Sequence, residues 1–319
     1  MTNLNTIIDV FRSNYQRRFL DTEILMIKNK DGIDTQFQIK SQSLKTGNYP
    51  TIFYHGKKTN DVIILVHGLS DSPYYMKAIG RVFYESGLNV ILPLMPAHGL
   101  KEPDKEMEDS NLDNKWRNEM ERSVDLAESF GERISLGGFS AGGALCYNYI
   151  LRHPRKIQGG LFLFSAAIAV KLIKDASRFI ILKNITKIRD GKIEGIGKDP
   201  YKYPTFPTFG AMELGDIIRE NIHLSQEKKI PQPVFAAHSV KDKATKVEGI
   251  IDLLSNHCIN GIAFLISDTV KHAELPLDRD IILDMTKKLG PKTPPKANPR
   301  FQLMMDAAIR FYKERIEIL

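Results

Sequence analysis

The chain of 319 residues holds two cysteines and one tryptophan, and nowhere an apolar run long enough to span a bilayer. Each shortage excludes something. Cys146 and Cys258 fit no zinc-ligand spacing, and two cysteines do not build a disulfide framework. Both lie in apolar surroundings, so buried free thiols are expected. A membrane span takes about 20 consecutive apolar residues, which the sequence never provides. The first residues place Asn3, Asn5 and Asp9 among Ile7, Ile8 and Val10. A secretory signal has a basic start and a continuous apolar stretch instead, so a soluble, cytoplasmic protein is the expectation. A block of Lys or Arg is also missing. The 45 basic residues are interleaved with 38 acidic ones, for a formal net charge of +7. That pattern reads as a solvated mixed-charge surface with no nucleic-acid partner. An excess of this size still favours anionic surfaces such as acidic lipid headgroups, and the basic N-terminal segment is where weak contact with them is expected. Core-forming residues are in ordinary supply: 42% apolar and 26% charged are typical of globular domains.

Residues 1–30 read as an amphipathic helical lead-in, with Ile7, Ile8, Phe11, Tyr15, Phe19 and Leu20 near helical spacing. Residues 33–56 alternate like strands, and a break at Gly47-Asn48 suits a hairpin. From residue 61 the character changes. Val62 to Val66 is a short unbroken apolar run, the mark of a parallel strand buried on both faces. Similar runs recur at 88–92, 132–136, 159–164, 233–237 and 261–266, with helix-compatible segments at 74–86, 115–130 and 141–152. Such alternation implies a mostly parallel, doubly wound α/β sheet, whose ligands sit beyond the carboxyl ends of the strands.

About 65 residues separate the runs ending near Phe164 and starting near Pro233, too many for one crossover helix. They hold a helix at 166–183, a loop from Gly191 to Gly210 and a helix at 211–223. Residues 166–230 read as an inserted lid, or as a surface elaboration with no part in substrate choice. The stretch from Leu289 to Pro299 carries four prolines and precedes a final amphipathic helix at 300–316. The expected organisation is one domain over 1–319, with residues 1–56 as an N-terminal helix-and-hairpin extension.

The strongest local signal is Gly138-Phe139-Ser140-Ala141-Gly142, placed after the run Arg133 to Leu136 and before the helix-forming Ala144 to Tyr147. This is G-x-S-x-G between strand and helix. The serine sits on a strained turn, and its neighbours must be small because strand and helix approach closely. A serine hydroxyl needs a base, and the base needs orienting. With this motif the acid and then the histidine follow, each after a later strand. The strand Val234 to Ala237 leads to Asp242, and the strand Ile262 to Ile266 leads to His272. Asp268 is the rival acid, but it lies on the strand that should deliver the histidine. His238 is read as packing at a strand end, His55 and His257 as surface or strand-edge residues, and His153 and His223 as closing helices. For the oxyanion of an acyl-transfer intermediate, the donors read from position are the N–H groups of Ala141 and Leu69. His67 then braces the Leu69 turn and is not the base.

The stretches His67 to Pro73, Leu92 to Gly99 and Gly138 to Gly142 resemble the bacterial carboxylesterase and monoacylglycerol lipase group. That group belongs to the α/β-hydrolase superfamily, near its serine aminopeptidase and lysophospholipase-like branch. The similarity spans roughly residues 60–165 and 230–275 and does not reach the first ~55 residues or the inserted region. The resemblance implies the α/β-hydrolase fold, a triad of Ser140, Asp242 and His272, oxyanion donors at Leu69 and Ala141, and neither cofactor nor metal. It implies a small-molecule acyl ester as substrate. Lysophospholipase or acyl thioesterase activity is the alternative within the enzyme class, and a non-catalytic binding protein on the same fold is the alternative outside it. Phe206, Phe209, Met212 and Leu214 either line an acyl pocket or seat the lid on the core.

Overall fold

The computed structural model describes residues 4–28, 34–168, 199–203, 207–289 and 295–318. Among them, nine strands form one sheet: β1 (Glu23–Lys28), β2 (Asp34–Lys40), β3 (Thr51–Phe53), β4 (Thr59–Val66), β5 (Asn89–Leu92), β6 (Gly131–Phe139), β7 (Leu161–Phe164), β8 (Val234–Ser239) and β9 (Gly261–Ile266). Their order is β1-β2-β3-β5-β4-β6-β7-β8-β9. The pairings β1/β2, β2/β3 and β3/β5 are antiparallel, and all from β5/β4 to β8/β9 are parallel. The sheet is therefore mostly parallel, as the alternation of apolar runs predicts.

The unbroken run in β4 has a simple cause. Val62, Ile64 and Val66 face one core cluster, while Ile63 and Leu65 face the other. Both pleat faces are covered, so neither can afford a polar residue. On the first face lie α1 (Leu4–Gln16), the short α3 (Asp104–Met107), α4 (Leu112–Ala127), α5 (Ala141–Arg152), α6 (Thr208–Glu227) and α7 (Val247–Asp252). On the second lie α2 (Lys77–Glu85), α8 (Arg279–Leu289) and α9 (Phe301–Arg315). This two-sided arrangement of helices on a mostly parallel sheet is the α/β-hydrolase fold.

Several boundaries differ from expectation. The N-terminal helix stops at Gln16, and residues 23–28, expected to continue it, form β1 at the sheet's edge. Ile24, Leu25, Met26 and Ile27 are apolar without alternation, and Met26 and Ile27 are exposed, so no face signals a strand. The 74–86 helix opens as a tight turn at Pro73–Met76 before α2. α6 starts earlier and ends later than 211–223, so His223 stands a full turn before its close. α8 has no counterpart in the sequence reading. Residues 166–168 are not helical, and the rest of the helix expected at 166–183, most of the loop after it, and Phe206 lie outside the described residues. Cys146 and Cys258 are buried free thiols.

Candidate active site

β6 ends at Phe139 and α5 begins at Ala141, leaving Ser140 alone at the corner with φ 53° and ψ −117°. A non-glycine residue there is strained, and its surroundings must hold it. They do so through backbone: Ser140 N–H donates to Phe164 O at 3.1 Å, and Ala167 N–H donates to Ser140 O at 2.9 Å. The flanking glycines are fixed by contact. A Cβ on Gly138 would lie 2.3 Å from the Gly142 carbonyl carbon, and one on Gly142 would lie 2.1 Å from Val66 O. Strand β4, the turn and α5 thus meet with no room for a methyl group.

The loops after β8 and β9 bring Asp242 and His272 to the same rim. His272 Nδ1 lies 2.6 Å from Asp242 Oδ2, and His272 Nε2 lies 2.8 Å from Ser140 Oγ. An ionised carboxylate only accepts, so Nδ1–H donates to Asp242, and Nε2 is left to accept the Ser140 hydroxyl proton. The three side chains predicted from sequence therefore form one hydrogen-bonded chain. Asp242's side chain is fully buried, whereas that of His272 is about one-fifth exposed. Burial acts to raise the Asp242 carboxyl. The hydrogen bond and charge of His272, with N–H donors from Thr245 and Ala244, outweigh burial and hold it at about 2. Phe139 packs on the imidazole with ring centroids 4.9 Å apart.

Sequence reasoning missed the groups that hold this pair in place. Ala244 and Thr245 N–H donate to Asp242 Oδ1 at 2.8 and 3.1 Å, and Thr245 Oγ lies 3.0 Å from Oδ2. Ser239 Oγ donates to Val270 O at 2.9 Å, tying the acid loop to the histidine loop. His238 is buried at the end of β8, as read from sequence, with Nε2 3.9 Å from Asp242 Oδ2; burial lowers its pKa. The rival Asp268 turns away to pair with Arg300 at 2.5 Å.

The turn after β4 is braced from three sides. The buried His67 donates from Nδ1 to Gly68 O at 2.9 Å and accepts Met95 N–H at Nε2, 3.2 Å away. Burial, aided by His98, pushes His67 down to about 3, so the ring stays neutral. His98 Nε2 donates to Leu69 O. From the far side, Tyr203 N–H donates to Ser70 O at 2.7 Å, and Lys202 Nζ meets the buried Asp71 carboxylate at 2.6 Å. Burial would raise Asp71, but the Lys202 ammonium outweighs it and holds the carboxyl low. Lys202 also lies over the Tyr75 ring, 4.4 Å from its centroid. Among the described residues the Leu69 N–H donates to no acceptor. The Ala141 N–H is the first of α5, where no intrahelical acceptor exists.

The start of α6 covers this turn: a Cβ on Gly210 would lie 3.0 Å from Leu69 Cδ1 and 2.7 Å from Met107 Sδ. Phe209, Met212 and Leu214 are all buried, and Leu214 belongs to the main core cluster. The helix is seated further by Asn221, which joins Asn148 at 2.8 Å and Ala144 O at 3.0 Å. Among the described residues no group of three His, Cys, Asp or Glu side chains is arranged to hold a metal ion, and no helix is long and apolar enough to cross a membrane.

A strained serine at a strand-to-helix corner, joined through histidine to a buried aspartate on an α/β-hydrolase sheet, defines the class of site. No protein-family model and no curated protein matches the chain. Solved structures do. A structure from the pair of metagenome-derived lipolytic enzymes LipS and LipT covers 83% of this chain and 97% of its own, at 15% identity and a TM-score of 0.62. The monoacylglycerol lipase of Paleococcus ferrophilus covers 83% and 98%, at 18% identity and a TM-score of 0.59. Est1E from Butyrivibrio proteoclasticus, with ferulic acid bound, covers 91% and 99%, at 17% identity and a TM-score of 0.55. These likenesses establish the fold.

Proposed function

We propose that the chain is a serine hydrolase that cleaves carboxylic esters through an acyl-enzyme, with Ser140 as nucleophile, His272 as base and Asp242 as its orienter. The observation that supports this reading above all is the continuous hydrogen-bonded path from Asp242 through His272 to Ser140. Nε2 takes the hydroxyl proton as Ser140 Oγ attacks the acyl carbonyl, and Asp242 steadies the imidazolium that results. The N–H groups of Leu69 and Ala141 receive the oxyanion, aided by the dipole of α5. Nε2 then hands its proton to the departing alkoxide, and the acyl group stays on Ser140. Water, deprotonated by the same nitrogen, releases the acid. That structures of similar fold include lipolytic enzymes and a monoacylglycerol lipase agrees with an ester substrate.

A fluorophosphonate probe and p-nitrophenyl esters of graded chain length test the reading. Wild type should label at residue 140 and turn over short or medium esters, and Ser140→Ala should do neither. A folded wild-type protein that never labels would favour the non-catalytic binding role. Hydrolysis confined to lysophospholipid or acyl-CoA would replace the carboxylesterase reading with that of a lysophospholipase or thioesterase.

A further inference from the structure

Beside His272 opens a cavity of about 530 Å³, bounded by Lys241, Lys243, Val270 and Lys271 among others. The three lysines are exposed, and none of them meets a carboxylate among the described residues. Six of the other described lysines, Lys40, Lys58, Lys115, Lys156, Lys202 and Lys288, pair with an acid, and the remainder are, like these three, without one among the described residues. The acids nearest the cavity are already committed. Asp242 is held by His272, Glu274 is buried and accepts the Lys271 N–H at 3.0 Å, and Asp268 pairs with Arg300. The cavity mouth therefore carries three ammonium groups on apolar stems against the carboxylates of Asp242 and Glu274, an excess of positive charge, and clefts with one sign of charge concentrate ligands of the other.

Its position says which part of a substrate would enter. Nε2 must reach the serine hydroxyl first and the leaving oxygen later, so the leaving group of an ester lies on the histidine side of the scissile bond. We propose that this cavity binds the alcohol half of the substrate and that this half carries an anionic group, a phosphate or a carboxylate. The inference rests on the ester-hydrolase reading and deepens it by naming a substrate class.

Four short-chain, freely soluble esters test it, so that no lipid interface intervenes. 1-Butyrylglycerol 3-phosphate is compared with 1-butyrylglycerol, and 4-(butyryloxy)butanoate with its neutral N-methylamide. At low ionic strength kcat/KM should favour the charged member by about tenfold, and the preference should shrink towards unity in about 0.5 M salt. A preference in the first pair alone assigns the cavity to phosphate, and one in the second alone assigns it to carboxylate. Lys241→Gln/Lys243→Gln and, separately, Lys271→Gln should each cut the charged-to-neutral ratio severalfold. Where a variant does not fold, the salt dependence of wild type decides. Equal rates within both pairs, or a preference that survives all three substitutions, would overturn the proposal while leaving ester hydrolysis intact. Absence of turnover on all four esters together with absence of fluorophosphonate labelling would remove the ester-hydrolase reading itself.

Discussion

Replacing Asp242 with Asn keeps the side chain's volume but offers His272 Nδ1 an amide that can donate as well as accept. The ring is then free to settle in the tautomer that presents N–H to Ser140, and the hydroxyl loses its base. By analogy with the same change in serine proteases, kcat should fall by about 10³–10⁴-fold with a folded protein retained; steady-state kinetics beside circular dichroism check this. The carboxyl's low pKa, about 2, has its own consequence. A depressed folded value means that stability from this group is complete above the unfolded value near 3.8 and is lost as pH falls through about 2. Buried histidines act higher on the scale. His67 drops from 6.5 to about 3 on folding, so between those values the unfolded chain binds a proton that the native one refuses. Stability should therefore decline as pH is lowered through that window. His67→Asn should flatten the decline by about one proton's worth of slope in urea titrations at successive pH values; an unchanged slope would refute the neutral-ring account.

Between elements, the decisive contacts are close approaches and one buried ion pair. Gly142→Ala would drive a methyl group into the Val66 carbonyl, which is backbone and cannot step aside. A loss of more than about 4 kcal/mol, or no folded protein at all, is expected from denaturant unfolding. Lys202→Met would leave the buried Asp71 carboxylate without its ammonium, a change that typically destabilises by about 3–5 kcal/mol. The double substitution Asp71→Asn/Lys202→Met should recover most of that, because the desolvated charge goes with its partner. Both single variants should also lower kcat, since Asp71 lies two residues beyond Leu69 in the same braced turn. Of all this the sequence announced only the glycines. Lys202 and Asp71 are 131 residues apart, and nothing in local pattern says that the chain between β7 and β8 returns to clamp that turn.

At the scale of the whole molecule, the +7 charge and the exposed Arg17 predict binding to anionic vesicles that weakens with salt. Sedimentation with vesicles of graded phosphatidylserine content checks it, and binding indifferent to vesicle charge would remove it. The apolar side of α1 takes no part in such contact, because Ile7, Phe11 and Tyr15 are buried in the core. The parallel half of the sheet was legible because burial on both faces forces continuous apolar runs, and the three site residues were legible because each stands just past the end of such a run. The antiparallel rim was harder. β1 is exposed at an edge, so selection for a buried face is weak and the pattern blurs into that of a helix. α8 was not assigned at all, and only the stretch that follows it, Leu289 to Pro299, was read as irregular chain. The groups that hold Asp242 from Thr245, Ala244 and Ser239 were invisible for another reason: they act through turn geometry, which spacing alone does not encode.

Asp242 and His272 hang from neighbouring strands, and the Ser239 hydroxyl laces their loops together, while Ser140 stands near the middle of the sheet with β7 between. The pair is thus assembled from the two strands furthest to one side of the nucleophile, with β9 unpaired on its outer side among the described residues. Any loosening of β9 at the sheet's edge draws His272 away from Asp242 on β8 and from Ser140 beyond β7 alike. Heat or denaturant should accordingly silence the nucleophile while most of the molecule is still intact.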